Sequence, residues 1–277
     1  MDLKLQGKNA LITGGASGIG LGIARALANE GVNLAIASRN PDPEAIAELK
    51  RTGVQVEAIA ADVSREEHAV GMVEEAVKRF GELDFYVNNA AWAWHQPVTR
   101  LESQAWFDTL NTNLSAAMWA CRTAARHMIP RRCGGIVIIS STAKFTVGFG
   151  EVAYRASKFG LEALMQNLCV ELAPFGIRVN MVTPGHYVTR LTGWDRLDRA
   201  KVEQFRDRYI PLRRFGETRE LGPAVAFLLS DAVSSYTTGA DIVVDGGLHH
   251  SPINVISDEE IMALNEQKSG GRRPPDT

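Results

Sequence analysis

The stretch that most restricts the fold is a junction near the start of the chain. A short apolar run, Asn9-Ala10-Leu11-Ile12-Thr13, stops at the glycine cluster Gly14-Gly15-Ala16-Ser17-Gly18-Ile19-Gly20, and an apolar-periodic helix follows from about Ile19 to Asn29. An unbroken apolar run reads as a strand buried on both faces. The same pattern returns along the chain. Strands are expected at Val32 to Ala37, Val54 to Ala60, Asp84 to Val87, Ile136 to Ser141, Ile177 to Val182 and Asp241 to Val244. Helices are expected between them at Ala45 to Thr52, Arg65 to Phe80, Leu101 to Met128, Glu151 to Leu172 and Leu221 to Ser230. This alternation implies an α/β fold, a doubly wound parallel sheet with helices on both faces. With no internal linker or repeat, residues 1–248 read as one domain and 249–277 as a C-terminal extension.

A glycine-rich turn between a strand and a helix lets main-chain N–H groups approach a pyrophosphate, at the positive end of the helix. The spacing here is Gly-x-x-x-Gly-x-Gly, from Gly14 to Gly20. The adenosine ribose of a dinucleotide should then meet the end of the second strand, where an acid binds a free 2′-hydroxyl and an arginine suits a 2′-phosphate. The chain offers Ser38-Arg39 and no acid. That pair favours NADP over NAD, with NAD still possible; the plainer reading is a solvated arginine in a turn. Asp62-Val63 follows the third strand, where a carboxylate can bond an adenine amino group. Asn88-Asn89-Ala90-Ala91 and Thr183-Pro184-Gly185 end two more strands, as ordinary turns or as ligand contacts.

Tyr154 and Lys158 are four apart and share a helix face. An ammonium beside a phenol favours the phenolate and pulls the tyrosine pKa down from about 10. Such a tyrosine can exchange a proton with a carbonyl or alcohol oxygen. Ser141 lies thirteen residues before it, at the close of an apolar run. Asn113 stands mid-helix, where asparagine is unfavourable, so a water or main-chain contact is expected unless it faces solvent.

Other features limit the partners. The net charge of −2 gives no electrostatic reason to expect nucleic acid or an anionic membrane. No apolar run is long enough to span a bilayer, and the N-terminus carries no signal-peptide core. Cys121, Cys133 and Cys169 are read as reduced thiols of a cytoplasmic protein, and no metal-ligand spacing is present among the six histidines. Residues 186–215 are rich in arginine and aromatics and read as a flap of one or two amphipathic helices over the site. A capping box at Ser257-Asp258-Glu259-Glu260 opens a short helix to about Lys268, and Ser269 to Thr277 is expected to be flexible.

As a set, Thr13-Gly14-x-x-x-Gly18-x-Gly20, Asp62, Asn88-Asn89-Ala90, Asn113, Ser141, Tyr154-x-x-x-Lys158 and Pro184-Gly185 resemble the compact branch of the short-chain dehydrogenase/reductases over about residues 5–248. The resemblance implies a Rossmann-type fold and NAD(P)-dependent hydride transfer between a ketone and a secondary alcohol. It implies a tetrad of Asn113, Ser141, Tyr154 and Lys158. Tyr154 would supply the proton, Ser141 would orient the oxygen, and Lys158 would hold the nicotinamide ribose. Asn113 would position a water that links Lys158 to solvent. It implies cofactor contacts from Gly14, Ser17, Gly18, Ile19, Gly20, Ser38, Arg39, Asp62, Val63, Asn89, Ala90, Pro184, Gly185 and Thr189, and a homodimer or homotetramer paired through the two long helices. A small-molecule pocket is expected from Trp92, Trp94, His95, Lys144, Phe145, Phe149, His186, Tyr187 and Trp194. Its aromatic content favours an apolar or ring-bearing substrate.

The chain departs from the family at Ala91, where glycine is usual. It departs again at Phe175, where reductases of acyl-carrier-protein substrates often have a basic residue, although Arg131-Arg132 keeps that reading open. A 3-oxoacyl thioester reductase and a sugar or polyol dehydrogenase are the alternatives within the enzyme class. A catalytically silent NADP-binding regulator is the alternative outside it.

Overall fold

The structure is a computed structural model that describes residues 2–189 and 198–251. Seven strands form one parallel sheet in the order β3-β2-β1-β4-β5-β6-β7. They are β1 (Asn9–Thr13), β2 (Asn33–Ser38), β3 (Val56–Ala60), β4 (Phe85–Asn88), β5 (Gly134–Ile139), β6 (Ile177–Pro184) and β7 (Asp241–Val244). β1 is buried at all five positions and β6 at all eight, as a strand covered on both faces must be.

Two apolar clusters lie on the two faces. One gathers α1 (Gly18–Asn29), α2 (Pro43–Lys50) and α8 (Gly222–Leu229) against β1, β2 and β5. The other gathers α3 (Glu66–Phe80), α5 (Ala116–Met128) and α6 (Val152–Leu172) around Leu11, Tyr86, Ile136 and Val179. Between them in sequence lie α4 (Ser103–Leu110), α7 (Arg199–Tyr209) and the short α9 (Asp231–Ser234). The sequence-derived elements fall within a few residues of these limits, the usual scatter at fraying ends.

One expected helix differs. Leu101 to Met128 is not a single α-helix: α4 and α5 are joined by a π-helical turn, Asn111–Ser115. Asn113 sits inside this turn and is buried. Its carboxamide is bonded to the Trp92 main chain and to the Ser157 hydroxyl, all outside the helix. Among the described residues the flap carries one helix, α7; none of its residues is fully buried, but Val202, Phe205 and Tyr209 are half-buried at helical spacing, the apolar side that the reading expected. Trp194, Arg190, Arg196 and the extension from 252 onward, including the expected capping box, lie outside the described residues. No helix among the described residues is long and apolar enough to cross a membrane.

Candidate active site

Strand order reverses between β1 and β4, so the chain leaves the two strands toward opposite sides and a crevice opens at their carboxyl ends. The turn after β1 fills it. Gly14 has φ +66°, and a Cβ there would lie 3.0 Å from Asn89 Nδ2. At Gly20 a Cβ would lie 2.2 Å from the Gly14 carbonyl oxygen, so only glycine fits. Asn89 Nδ2 donates to Thr13 O at 2.8 Å and to Gly14 O at 3.4 Å. Thr13 Oγ1 accepts from Asn89 N at 2.9 Å and Ala90 N at 3.0 Å. Asn89 therefore braces the turn with its amide. Thr13, which the sequence reading placed in the motif but not in the site, is the hub of that brace. Ser17 stands at the N-cap of α1 without a side-chain capping bond, and the first turn holds no acid. The main-chain N–H groups there are thus left for a ligand. Ile19 is half-buried behind them. The loop after β6 passes nearby: a Cβ on Gly18 would touch Thr189 at 3.5 Å. Pro184 ends β6, and Gly185 N donates to Val244 O at 3.0 Å.

At the end of β2, the Ser38 hydroxyl is buried without a hydrogen-bond partner among the described residues. Arg39 beside it is exposed and forms no ion pair or hydrogen bond with a described residue. Asp62 faces the same space. Burial raises its pKa, but hydrogen bonds from the Ser64 hydroxyl (2.8 Å) and amide (3.1 Å), with Arg39 and His68 nearby, outweigh this and hold the carboxyl below its ordinary value. Val63 buries its side chain in the core, leaving its main chain for any ligand. An orphaned buried hydroxyl beside an unpaired guanidinium, ahead of a glycine cradle, fits a dinucleotide.

Ser141, Tyr154 and Lys158 of the expected tetrad lie further along the sheet, just after β5 and on α6. Lys158 is 2% exposed; its Nζ donates to Ile139 O at 3.2 Å and lies 5.4 Å from the Tyr154 ring centroid. Burial pushes the lysine pKa down to about 8. Tyr154 departs from expectation. Burial raises its pKa above the ordinary value, Glu151 adds to that, and a hydrogen bond with Ser141 pulls the other way. In the protein alone desolvation wins, and the stacked lysine does not supply the expected depression. Ser141 opens the 3₁₀ turn Thr142–Lys144 and accepts from Ala143 N at 3.1 Å.

Asn113 makes the main-chain contact that its sequence position called for. Its Oδ1 accepts from Trp92 N at 2.8 Å, and its Nδ2 donates to Trp92 O at 2.9 Å and Ser157 Oγ at 3.0 Å. Ser157 in turn donates to Tyr154 O at 2.6 Å. The side chain is thus a clamp on the loop after β4.

The expected pocket wall is only partly formed as read. Trp92 and Trp94 stack with centroids 5.9 Å apart, and Trp94 is 48% exposed. His95 lies 3.8 Å from Glu151, Phe145 packs its ring 5.2 Å from that of His249, and Phe149 projects to solvent. His186 meets Phe205 of α7 edge-on at 4.9 Å, and burial lowers its pKa to about 4, against the opposing field of Asp245. Two residues do not belong to the wall. Tyr187 is 2% exposed, lies in the core and donates to Val244 O at 3.1 Å. Lys144 is buried too, with Nζ bonded to Asp241 at 2.6 Å and Glu162 at 2.9 Å. Both were misread because aromatic and cationic residues near a site look alike in sequence whichever way they turn. An open depression lined by Gln6, Gly31 and Gly53 lies at the amino edge of the sheet and contains no titratable group.

This geometry can be set beside known proteins. A family model described as enoyl-(acyl carrier protein) reductase matches residues 14–249. The chain belongs to the short-chain dehydrogenase/reductase family. It is an NAD(P)-dependent oxidoreductase of that family. It is 37% identical over 245 residues to the 3-oxoacyl-[acyl-carrier-protein] reductase of Staphylococcus aureus, covering 87% of this chain and 98% of the relative. The NADPH-dependent 3-quinuclidinone reductase of Rhodotorula rubra superposes with a TM-score of 0.82 at 33% identity, over 89% of this chain and 93% of the other. An NAD+-bound xylitol dehydrogenase superposes with a TM-score of 0.82 at 32% identity, over 88% and 100%.

Proposed function

We propose that the protein is an NADP-preferring ketoreductase, running in either direction between a ketone and a secondary alcohol, with Tyr154 as general acid and base. The observation that carries this reading is the Ser141–Tyr154–Lys158 arrangement, in which a hydroxyl bonded to a phenol lies beside a buried lysine. When bound, the nicotinamide supplies or accepts the hydride. Ser141 has one lone pair occupied by Ala143 N and keeps its own proton to donate, so it can hold the substrate oxygen. Tyr154 delivers the proton to that oxygen as negative charge develops on it. Its raised pKa keeps the phenol protonated at neutral pH, as reduction requires. Lys158, half-way to neutrality near pH 8, holds the ribose and supplies a proton path behind the phenol. Tyr154→Phe is expected to bind NADPH normally and lose turnover by ~10²-fold or more. Retention of more than about a tenth of wild-type turnover would overturn the assignment.

The preference for NADP rests on Ser38 and Arg39. The orphaned hydroxyl and the unpaired guanidinium match a 2′-phosphate. Ser38→Asp with Arg39→Ala should shift the ratio of kcat/KM values toward NAD, and equal wild-type efficiency with both cofactors would sink the preference.

A second reading, reduction of a 3-oxoacyl thioester, is favoured by the Staphylococcus aureus relative. Against a carrier-protein substrate, Arg131 is committed to Asp84 at 2.8 Å, Glu82 at 3.0 Å and Leu83 O at 2.9 Å, and Phe175 offers no charge. A panel of ketones, polyols and 3-oxoacyl thioesters at fixed cofactor separates these substrates. Assembly belongs to the same proposal. Phe107 on α4, Met118 on α5, and Phe159 and Val170 on α6 are exposed, and they would be covered in a homodimer or homotetramer. Truncation after Gly247, followed by light scattering, tests whether the extension contributes to that assembly.

A further inference from the structure

Between Tyr154 and Lys158 the motif leaves three positions open, and the first is occupied by Arg155. Several other arginines pair with carboxylates, as Arg25 does with Glu48 and Arg79 with Glu57 and Glu75. Arg155 forms no ion pair with a described residue. Its half-buried guanidinium donates from Nε to the Ala143 carbonyl at 2.7 Å, and its Cζ lies 5.8 Å from the Phe159 ring centroid. Ala143 is buried, and its other main-chain group, the N–H, donates to Ser141 Oγ at 3.1 Å. A charged donor therefore reaches from the helix bearing the phenol to the residue that aims the serine. The same turn has a second tie to α6. Lys144 Nζ reaches Glu162, which follows Tyr154 and Lys158 at the next four-residue step along that helix.

We propose that Arg155 is a positioning residue, whose bond to Ala143 locks the 3₁₀ turn onto α6 and so fixes the Ser141 hydroxyl relative to the Tyr154 phenol. The inference rests on the catalytic roles proposed above for those two residues. The effect of Arg155 passes through Ser141 alone, which sets it apart from a residue that merely stabilises the helix.

The test is a double-mutant cycle on the full chain, with NADPH and the best ketone from the panel. Arg155→Met keeps the apolar stem over Phe159 and removes the donor. It should lower kcat by about tenfold, as small misplacements of reacting groups do, with KM for NADPH unchanged. Arg155→Lys, which can still donate to Ala143 O, should recover part of the loss. In a Ser141→Ala background Arg155→Met should cost less than about twofold more, because coupled sites are non-additive. Wild-type kcat in Arg155→Met, or losses that multiply in the double variant, would overturn the proposal. Should Arg155→Met fail to fold, Arg155→Ala, which also removes the donor, carries the test: a lowered kcat with an unchanged Tm supports the role, and wild-type kcat overturns it. Ser141→Ala separates the two levels. Full activity there overturns the catalytic reading, whereas an impaired Ser141→Ala beside an intact Arg155→Met overturns only the role of Arg155.

Discussion

The cofactor half of the crevice and its reacting half are built from different material. Around β1 and β4 the shape is made by main chain: glycines that admit no side chain, N–H groups held by the Thr13 hydroxyl, and carbonyls held by the Asn89 amide. Around β5 and α6 it is made by buried polar side chains, Asn113, Lys144, Ser157 and Lys158, each bonded to a named partner. A surface that must lie against a flat, charged ligand is best supplied by bare backbone. Groups that must exchange a proton have to be side chains, and burying them needs a shell of partners. The first half should therefore fail by collision and the second by lost hydrogen bonds or altered charge.

Gly20→Val gives the largest expected effect and tests the collision side. Its Cβ would meet Gly14 O at 2.2 Å, within a loop that has no slack. Cofactor affinity should fall by more than ~100-fold in calorimetry, the scale of a roughly 1 Å misplacement. Retained affinity would show that the loop yields, and the contrast would break. Asn113→Leu tests the other half. It leaves the Trp92 N–H and C=O unpaired, at about 3 kcal/mol or more in urea unfolding.

Lys158→Met makes the opposite prediction from a usual core substitution. An unfolded lysine titrates near its ordinary 10.5, and the folded one near 8. Between those values the unfolded chain holds a proton that the folded chain has released, so stability rises with pH across the window. Below about 8 both states are charged and the folded state bears the full cost of burying the ammonium. The methionine variant, without ligand, should thus be more stable at pH 7, by an amount on the order of a few kcal/mol. The gain should shrink steadily toward pH 10.5, as read by Tm across the series. Arg39→Ala is the mildest change: KM for NADPH should rise about tenfold, the weight of one charge-assisted hydrogen bond, with NAD kinetics unmoved.

The two halves also differ in how far they can be read from residues alone. β1 and its glycine turn are local: six apolar or small positions and a fixed spacing carry both the strand and its ligand. Tyr154 and Lys158 are likewise legible, since one helical turn brings them together. The shell behind them is not. Lys144 reads as a pocket residue from its place in the sequence, yet it turns to Asp241, 97 residues away. The burial of Tyr187 depends on Gly216, across the flap, and on Val244. Thr13 was visible as part of a motif, but its bonds to residues 76 and 77 positions later were not. The direction of the Tyr154 shift was missed for the same reason. A pairwise argument sees the lysine, while the desolvation that outweighs it is a property of the assembled fold.

The π turn at Asn111–Ser115 has a consequence for the length of the chain. Hydrogen bonds spanning five residues rather than four place one more residue in that turn than a regular helix would hold. α4 and α5 are therefore offset in register, and the stripe that α4 turns inward is rotated from the one α5 would impose on it. Removing a single residue such as Thr112 would let the two merge into an uninterrupted helix. Deletions inside helices usually ruin the packing beyond them. Here the shortened chain would gain a more regular helix and lose the one arrangement that points Asn113 at the Trp92 backbone.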